Sequence, residues 1–334
     1  MTLDSSCSVG VLLVNIGTPD APNKKDVRKY LSEFLSDPYV ITLPYIFRWL
    51  LLLFIILPFR SAKSAAAYSK VWTKQGSPLL VNSLACADGL SNALCDKYKV
   101  VAAMRYGSYS INDGLRQLIG CKQIVVVPLY PQYADATTRS TIEKVKCEMS
   151  RLMFDAKVAF VPAFYSNNGF IKSYARLVEP AMNLSKDQFL LMSYHGLPVN
   201  QLPDGDCENC YRAHCYGTSK LLAGSLGLSQ DQYSVSFQSR LGASKWIEPY
   251  TVDRIAVLYK KGIRKLVVAC PSFVADCLET LEEMGISLKK QWLDLGGESF
   301  TLVPCLNADS NWVLALSEII YKNEVADEDC VGNI

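Results

Sequence analysis

Two short apolar runs in opposite halves of the chain constrain its fold more than any other feature. QIVVVP at residues 123–128 and KLVVACP at residues 265–271 share one cadence: a β-branched run stopped by proline, with a helical stretch and a glycine ahead of it. Runs that are apolar throughout, rather than alternating, belong to strands buried on both faces, as in a parallel sheet covered by helices. Other segments keep the same rhythm. Residues 9–15 (VGVLLVN) run into Gly17, Pro19 and Pro22, and residues 100–104 end at Arg105, Tyr106 and Gly107. Residues 156–161, 189–194 and 233–238 continue the series, with helical periodicity between them, as at residues 25–34 and 174–182. The chain therefore reads as α/β, with two similar Rossmann-like domains, a parallel sheet in each and a cleft between them. The boundary falls at the Pro180 helix. Residues 1–180 form the first domain, residues 181–321 the second, and residues 322–334 an acidic, frayed tail.

Several function classes are disfavoured at once. Lys and Arg number 34 against 32 Asp and Glu, so bulk charge gives no reason to expect nucleic acid. Neither G-x-G-x-x-G nor G-x-x-x-x-G-K-[ST] occurs, which argues against a nucleotide site and a nucleotide-dependent oxidoreductase. Residues 1–10 lack a basic segment followed by an apolar core, so a cytoplasmic location is expected. In that setting the twelve cysteines read as reduced thiols or metal ligands rather than a disulfide framework.

His195, one of only two histidines, ends the run FLLMSYHGLP at residues 189–198. A buried strand that stops in this way delivers its last side chains to the crevice beyond its carboxyl end. Downstream, Ser272 is placed to cap a helix bearing Asp276, Glu279 and Glu283 on one face. Such acids are either dipole partners on a solvated surface or a row that conducts a divalent cation or protons. Cys207, Cys210 and Cys215 lie with His214 within nine residues, a spacing that suits a tetrahedral thiolate site for zinc or iron; the alternative is free thiols in a polar loop. Residues 43–60 (LPYIFRWLLLLFIILPFR) are interrupted by Arg48 and bracketed by Pro44 and Pro58, too short and punctuated to span a bilayer comfortably. Because they break the α/β rhythm, they are read as an apolar lip, with Arg48, Trp49 and Arg60 at its polar edges, rather than as a core helix. The lip would rest on a membrane surface or cover a large flat ligand.

Five of these stretches together resemble the ferrochelatase family: SYHGLP around His195, QSRLG at 238–242 with Trp246 beyond it, SFVADCLETL at 272–281, RYG at 105–107 and PLYPQY at 128–133. The resemblance runs in order over residues 9–307. It implies insertion of ferrous iron into protoporphyrin to give protohaem, the last step of haem synthesis, with iron as substrate and no organic cofactor. It also implies porphyrin and iron as partners, a membrane surface met through residues 43–60, and contact with an upstream porphyrin-synthesis enzyme. His195 matches the family's essential histidine and Glu279 its essential acid, facing each other across the porphyrin cleft. Arg105, Tyr106, Trp246 and Asp276 match residues that line the pocket. Cys277 stands where the family often has a histidine, which weakens any relay through a second imidazole there. Some members carry a 2Fe-2S cluster, with one ligand near PQY and others in a C-terminal extension. Here Asp135 occupies the first place and only Cys330 lies in the tail, so a cluster would need Cys207, Cys210, Cys215 and a fourth ligand. His195 is a metal ligand, a proton acceptor or both; coproporphyrin as substrate and a carrier without turnover are the competing readings.

Overall fold

The computed structural model describes residues 8–183, 187–203, 210–242 and 244–324. Four parallel strands, β1 (Val9–Gly17), β2 (Tyr98–Tyr106), β3 (Gln123–Pro128) and β4 (Lys157–Phe160), form one sheet in the order β2-β1-β3-β4. A second sheet repeats that order with β5 (Gln188–His195), β6 (Tyr233–Gln238), β7 (Lys265–Ala269) and β8 (Ser299–Leu302), as β6-β5-β7-β8. The two apolar runs are thus equivalent strands, β3 and β7, each beside the first strand of its sheet. Both are sealed by helices, and Val125, Val126, Val127, Val267 and Val268 are fully buried. In this order the chain leaves the first strand on one side and returns on the other, opening a crevice beyond the carboxyl ends of β1 and β3 and of β5 and β7.

The helix Asn168–Met182 carries Pro180 and links the two sheets. One buried cluster runs from Val11 and Val125 through Leu190 and Val267 to Trp312, so both sheets share a core. The closing helix, Ser310–Lys322, crosses back to the first half. Tyr321 packs edge-on against Tyr98 with ring centroids 5.5 Å apart, and Glu324 pairs with Lys97 at 3.2 Å.

Gly17 ends β1 with φ +113°, and a Cβ there would lie 2.0 Å from the Tyr106 carbonyl oxygen. Only glycine admits both the torsion and the close approach of β2. Gly17→Ala is expected to cost roughly 3 kcal/mol of stability, from strain plus overpacking. A urea midpoint equal to that of the wild type would contradict this.

Residues 43–60 differ from the short punctuated lip read from sequence. They open one continuous helix, Tyr45–Val71, of 27 residues with mean hydropathy 1.6 over its most apolar window. Pro58 does not stop it, because the segment Leu52–Ile56 before it is wound as a π-helix. The wider turn relieves the clash that a proline ring makes with the preceding turn. Leu52, Leu57, Ala65 and Tyr68 face the protein, whereas Tyr45, Ile46, Phe47, Trp49, Phe54, Ile55 and Phe59 are exposed. Arg48 is not a polar edge. It is buried and donates from Nη1 to the carbonyl oxygens of Ile41 at 3.0 Å and Leu43 at 2.9 Å.

Candidate active site

His195 closes β5 at the crevice beside β7, where the second sheet changes direction. Its backbone N–H donates to Ser272 Oγ at 3.1 Å, fastening the strand end to the loop after β7. No helix begins directly after Ser272, so it anchors the histidine instead of capping a helix as the sequence suggested. The ring sets its own tautomer. Nδ1 lies 2.6 Å from the Gly196 carbonyl oxygen, which can only accept, so in the neutral ring Nδ1 carries the proton and Nε2 keeps its lone pair. Tyr211 O–H holds the His195 carbonyl at 2.7 Å, and Phe273 lies edge-on to the imidazole at 6.3 Å. Gly196 N–H in turn donates to the Gln238 carbonyl at 2.9 Å.

The acidic stretch does not begin as an α-helix over Asp276. It is a π-helix, Glu279–Leu288, and Asp276 lies before it. Asp276 is buried and accepts from Asn307 Nδ2 at 2.7 Å, the Cys305 N–H at 3.2 Å and Thr280 Oγ1 at 3.3 Å. That carboxylate ties the segment after β8 to the π-helix and does not share a face with Glu279 and Glu283. Glu283 turns toward His195, accepting from Ser239 N at 2.7 Å and Ser239 Oγ at 2.5 Å. Burial raises the Glu283 carboxyl and the Glu279 charge adds to this, against the lowering effect of Ser239 and His195. The neighbouring Cys277 thiol is pushed well above its ordinary value by burial and then by Glu279. It stays protonated and offers no substitute for an imidazole.

Because folding raises the Glu283 carboxyl, the folded chain holds that proton more tightly than the unfolded chain does. The stability it contributes is full below the ordinary value of 4.5 and is lost as pH rises through the raised value. Glu283→Gln removes the titration. Its stability relative to wild type is therefore expected to improve from pH 4.5 towards neutrality, read as urea midpoints; a gap that does not change with pH would contradict the raised carboxyl.

The first half supplies the facing wall. The Glu279 charge acts on Tyr30, Arg60 and Tyr68, and burial holds both phenols well above their ordinary range, so they remain neutral donors. Tyr30 O–H donates to the Gly17 carbonyl at 3.1 Å. Lys70 crosses to Glu282 at 2.7 Å and pins the long helix to the π-helix. Tyr30 and Tyr68 went unnoticed in the sequence. Tyr68 lies on the helical period that continues past Pro58, the signal that would have found it.

Other residues singled out in the sequence are held by protein partners. Arg105 forms an ion pair with buried Asp37 and donates from Nε to Ser140 Oγ at 2.8 Å, while Tyr106 O–H donates to Asp37 at 2.8 Å. They make a buried polar knot between β2 and its neighbours. Trp246 is buried with Nε1 donating to the Leu241 carbonyl at 2.8 Å, and its ring backs Gly196, where a Cβ would meet it at 3.1 Å. Cys207 lies outside the described residues. Cys210 begins the helix Tyr211–Ser225 and Cys215 is fully buried in the shared core. Burial holds the Cys215 thiol well above its ordinary value. Among the described residues no three metal-binding side chains converge.

The paired sheets of like strand order define the two-domain chelatase fold. The chain superposes on the sirohydrochlorin chelatase SirB of Bacillus subtilis subspecies spizizenii in complex with cobalt, with TM-score 0.57, 10% identity and 95% of each chain covered. SirB from Bacillus subtilis with Fe3+ gives TM-score 0.55 at the same identity and coverage. Sequence narrows the class to one family. The ferrochelatase family model matches residues 8–324. Ferrochelatase of Legionella pneumophila (strain Lens) is 45% identical over 94% of this chain and 98% of its own, and that of Coxiella burnetii (strain Dugway 5J108-111) 43% over 97% and 96%. The chain belongs to the ferrochelatase family.

Proposed function

We propose that this enzyme inserts ferrous iron into protoporphyrin to give protohaem, with His195 and Glu279 as its central groups. The reaction is that of a metal chelatase: the porphyrin loses two pyrrole protons as the ion enters. The observation that carries the assignment is the tautomer of His195, which leaves Nε2 able to accept a proton or bind a metal near the Glu283 carboxylate, itself next to Glu279. Glu279 would draw the cation and Glu283, held by Ser239, would pass charge outwards. The exposed apolar face of Tyr45–Val71 suits a macrocycle, and an extra pair of carboxylates, as in coproporphyrin, would be costly against it. Purified protein given Fe(II) and protoporphyrin without oxygen should convert free-base absorption to that of the metalloporphyrin. Porphyrin binding without insertion would instead favour a carrier.

The same face supports attachment to a membrane surface, which would also deliver a hydrophobic substrate. Changing Phe54 and Phe59 to serine together should weaken binding to phosphatidylglycerol vesicles by at least about tenfold, given the apolar area lost. Equal sedimentation of variant and wild type would refute the attachment.

A further inference from the structure

Gln238 ends β6 and is in register with His195 on β5. Its side chain is 3% exposed, yet both ends of the amide are engaged. Nε2 donates to the Glu279 carbonyl oxygen at 3.1 Å, on the first residue of the π-helix. Oε1 accepts from Ser193 Oγ at 2.7 Å and from the Cys270 thiol at 3.8 Å. A carbonyl can only accept, so the amide cannot be turned over without losing its bond to Glu279. Behind it, Thr251 Oγ1 lies 2.8 Å from Ser193 Oγ, to which it can donate, and 3.0 Å from Ser236 Oγ. This buried hydroxyl chain fixes the amide from below.

We infer that Gln238 is a positioning residue for iron insertion: it holds the first turn of the π-helix so that Glu279 faces His195. The inference rests on the function proposed above and assigns no contact with substrate. Its main chain serves the same end, because the Gln238 carbonyl receives the Gly196 N–H whose own carbonyl sets the His195 tautomer. The next residue completes the clamp. Ser239, at φ +66°, donates twice to Glu283. Two consecutive residues at one strand end therefore hold the histidine and both carboxylates of the crevice. Glu279 opens the π-helix, so the Gln238 amide reaches that helix at its first residue, from the strand that pairs with His195.

The test separates positioning from simple support. Gln238→Leu removes the donor and is expected to lower kcat roughly ten- to hundredfold with the KM for protoporphyrin unchanged. Gln238→Glu keeps the shape and can be switched. When neutral, its hydroxyl donates to Glu279 and its carbonyl accepts from Ser193, restoring the native pattern; when ionised, it sets an acceptor against an acceptor. The titratable groups facing it are His195, Cys270, Glu279 and Glu283, and burial beside the two acids keeps the new carboxyl neutral above the usual glutamate range. The ratio of variant to wild-type kcat should therefore be near one at low pH and fall as pH rises. A ratio that is flat with pH and within about twofold of unity for both variants would overturn the inference. Should the leucine variant fail to fold, the glutamate variant, with its fold checked by circular dichroism at low pH, carries the test alone. Wild-type protein without insertion activity would overturn the function and this inference together, whereas an active wild type with unaffected variants overturns only the inference.

Discussion

His195→Ala is expected to lower kcat by about a thousandfold, the range in which loss of a positioned acid–base group falls, while protoporphyrin still quenches the protein's fluorescence on binding. The expectation follows from the tautomer. With Nδ1–H given to the Gly196 carbonyl, the imidazole presents one atom to the crevice, Nε2, and alanine removes it without touching the Ser272 bond, which is made by the main chain. Added imidazole should restore part of the lost rate by filling the vacated space. An alanine variant with near-native kcat would remove His195 from the chemistry. Loss of porphyrin binding along with turnover would instead make the residue part of the grip on the macrocycle.

Glu279→Gln should lower kcat by roughly a hundredfold, with the KM for Fe(II) raised, because it keeps the side chain's shape and deletes the charge that draws a cation. The Gln238 bond reaches the backbone of residue 279 and survives the change. A second effect accompanies it. The Glu279 charge helps to raise the Glu283 carboxyl, so the variant's Glu283 should titrate lower than in the wild type, which carbon-detected NMR of the labelled glutamates would show. Unchanged kinetics in Fe(II) would mean that the ion approaches by another route.

Where the sequence was informative, local pattern and tertiary position agreed. The matched runs at 123–128 and 265–271 became equivalent strands, and the polar stop after residue 192 placed His195 at a crevice because open parallel sheets put their carboxyl ends there. The π-helix was not legible, since each wider turn changes apolar spacing by less than a residue and Asp276, Glu279 and Glu283 still look collinear. Nor was the separation of Asp276 from the other two acids, which depends on Asn307 and Cys305, some thirty residues on. Arg105 and Arg48 illustrate the same limit. Each was read as available to a ligand or solvent, and each is consumed inside the protein, by Asp37 and by two main-chain carbonyls. A cation's partner is a tertiary fact. The prolines misled for a local reason: a π-turn lets Pro58 sit within a helix that its sequence suggests it should end.

The identical strand order of the two sheets leaves each half with its own crevice, and among the described residues the imidazole of His195 and the Glu283 carboxylate stand at the second. Beyond β1 stand Gly17, Thr18 and the hydroxyl of Tyr30, which offer no base of comparable strength. On the function proposed above, the twin crevices would divide the work, one as a jaw and the other as a reaction vessel. Kinetic damage should divide along the same line. Lesions in the jaw would appear as weakened capture of the macrocycle, lesions in the vessel as slow turnover, and the two sets could drift at different rates under selection without either half losing its fold.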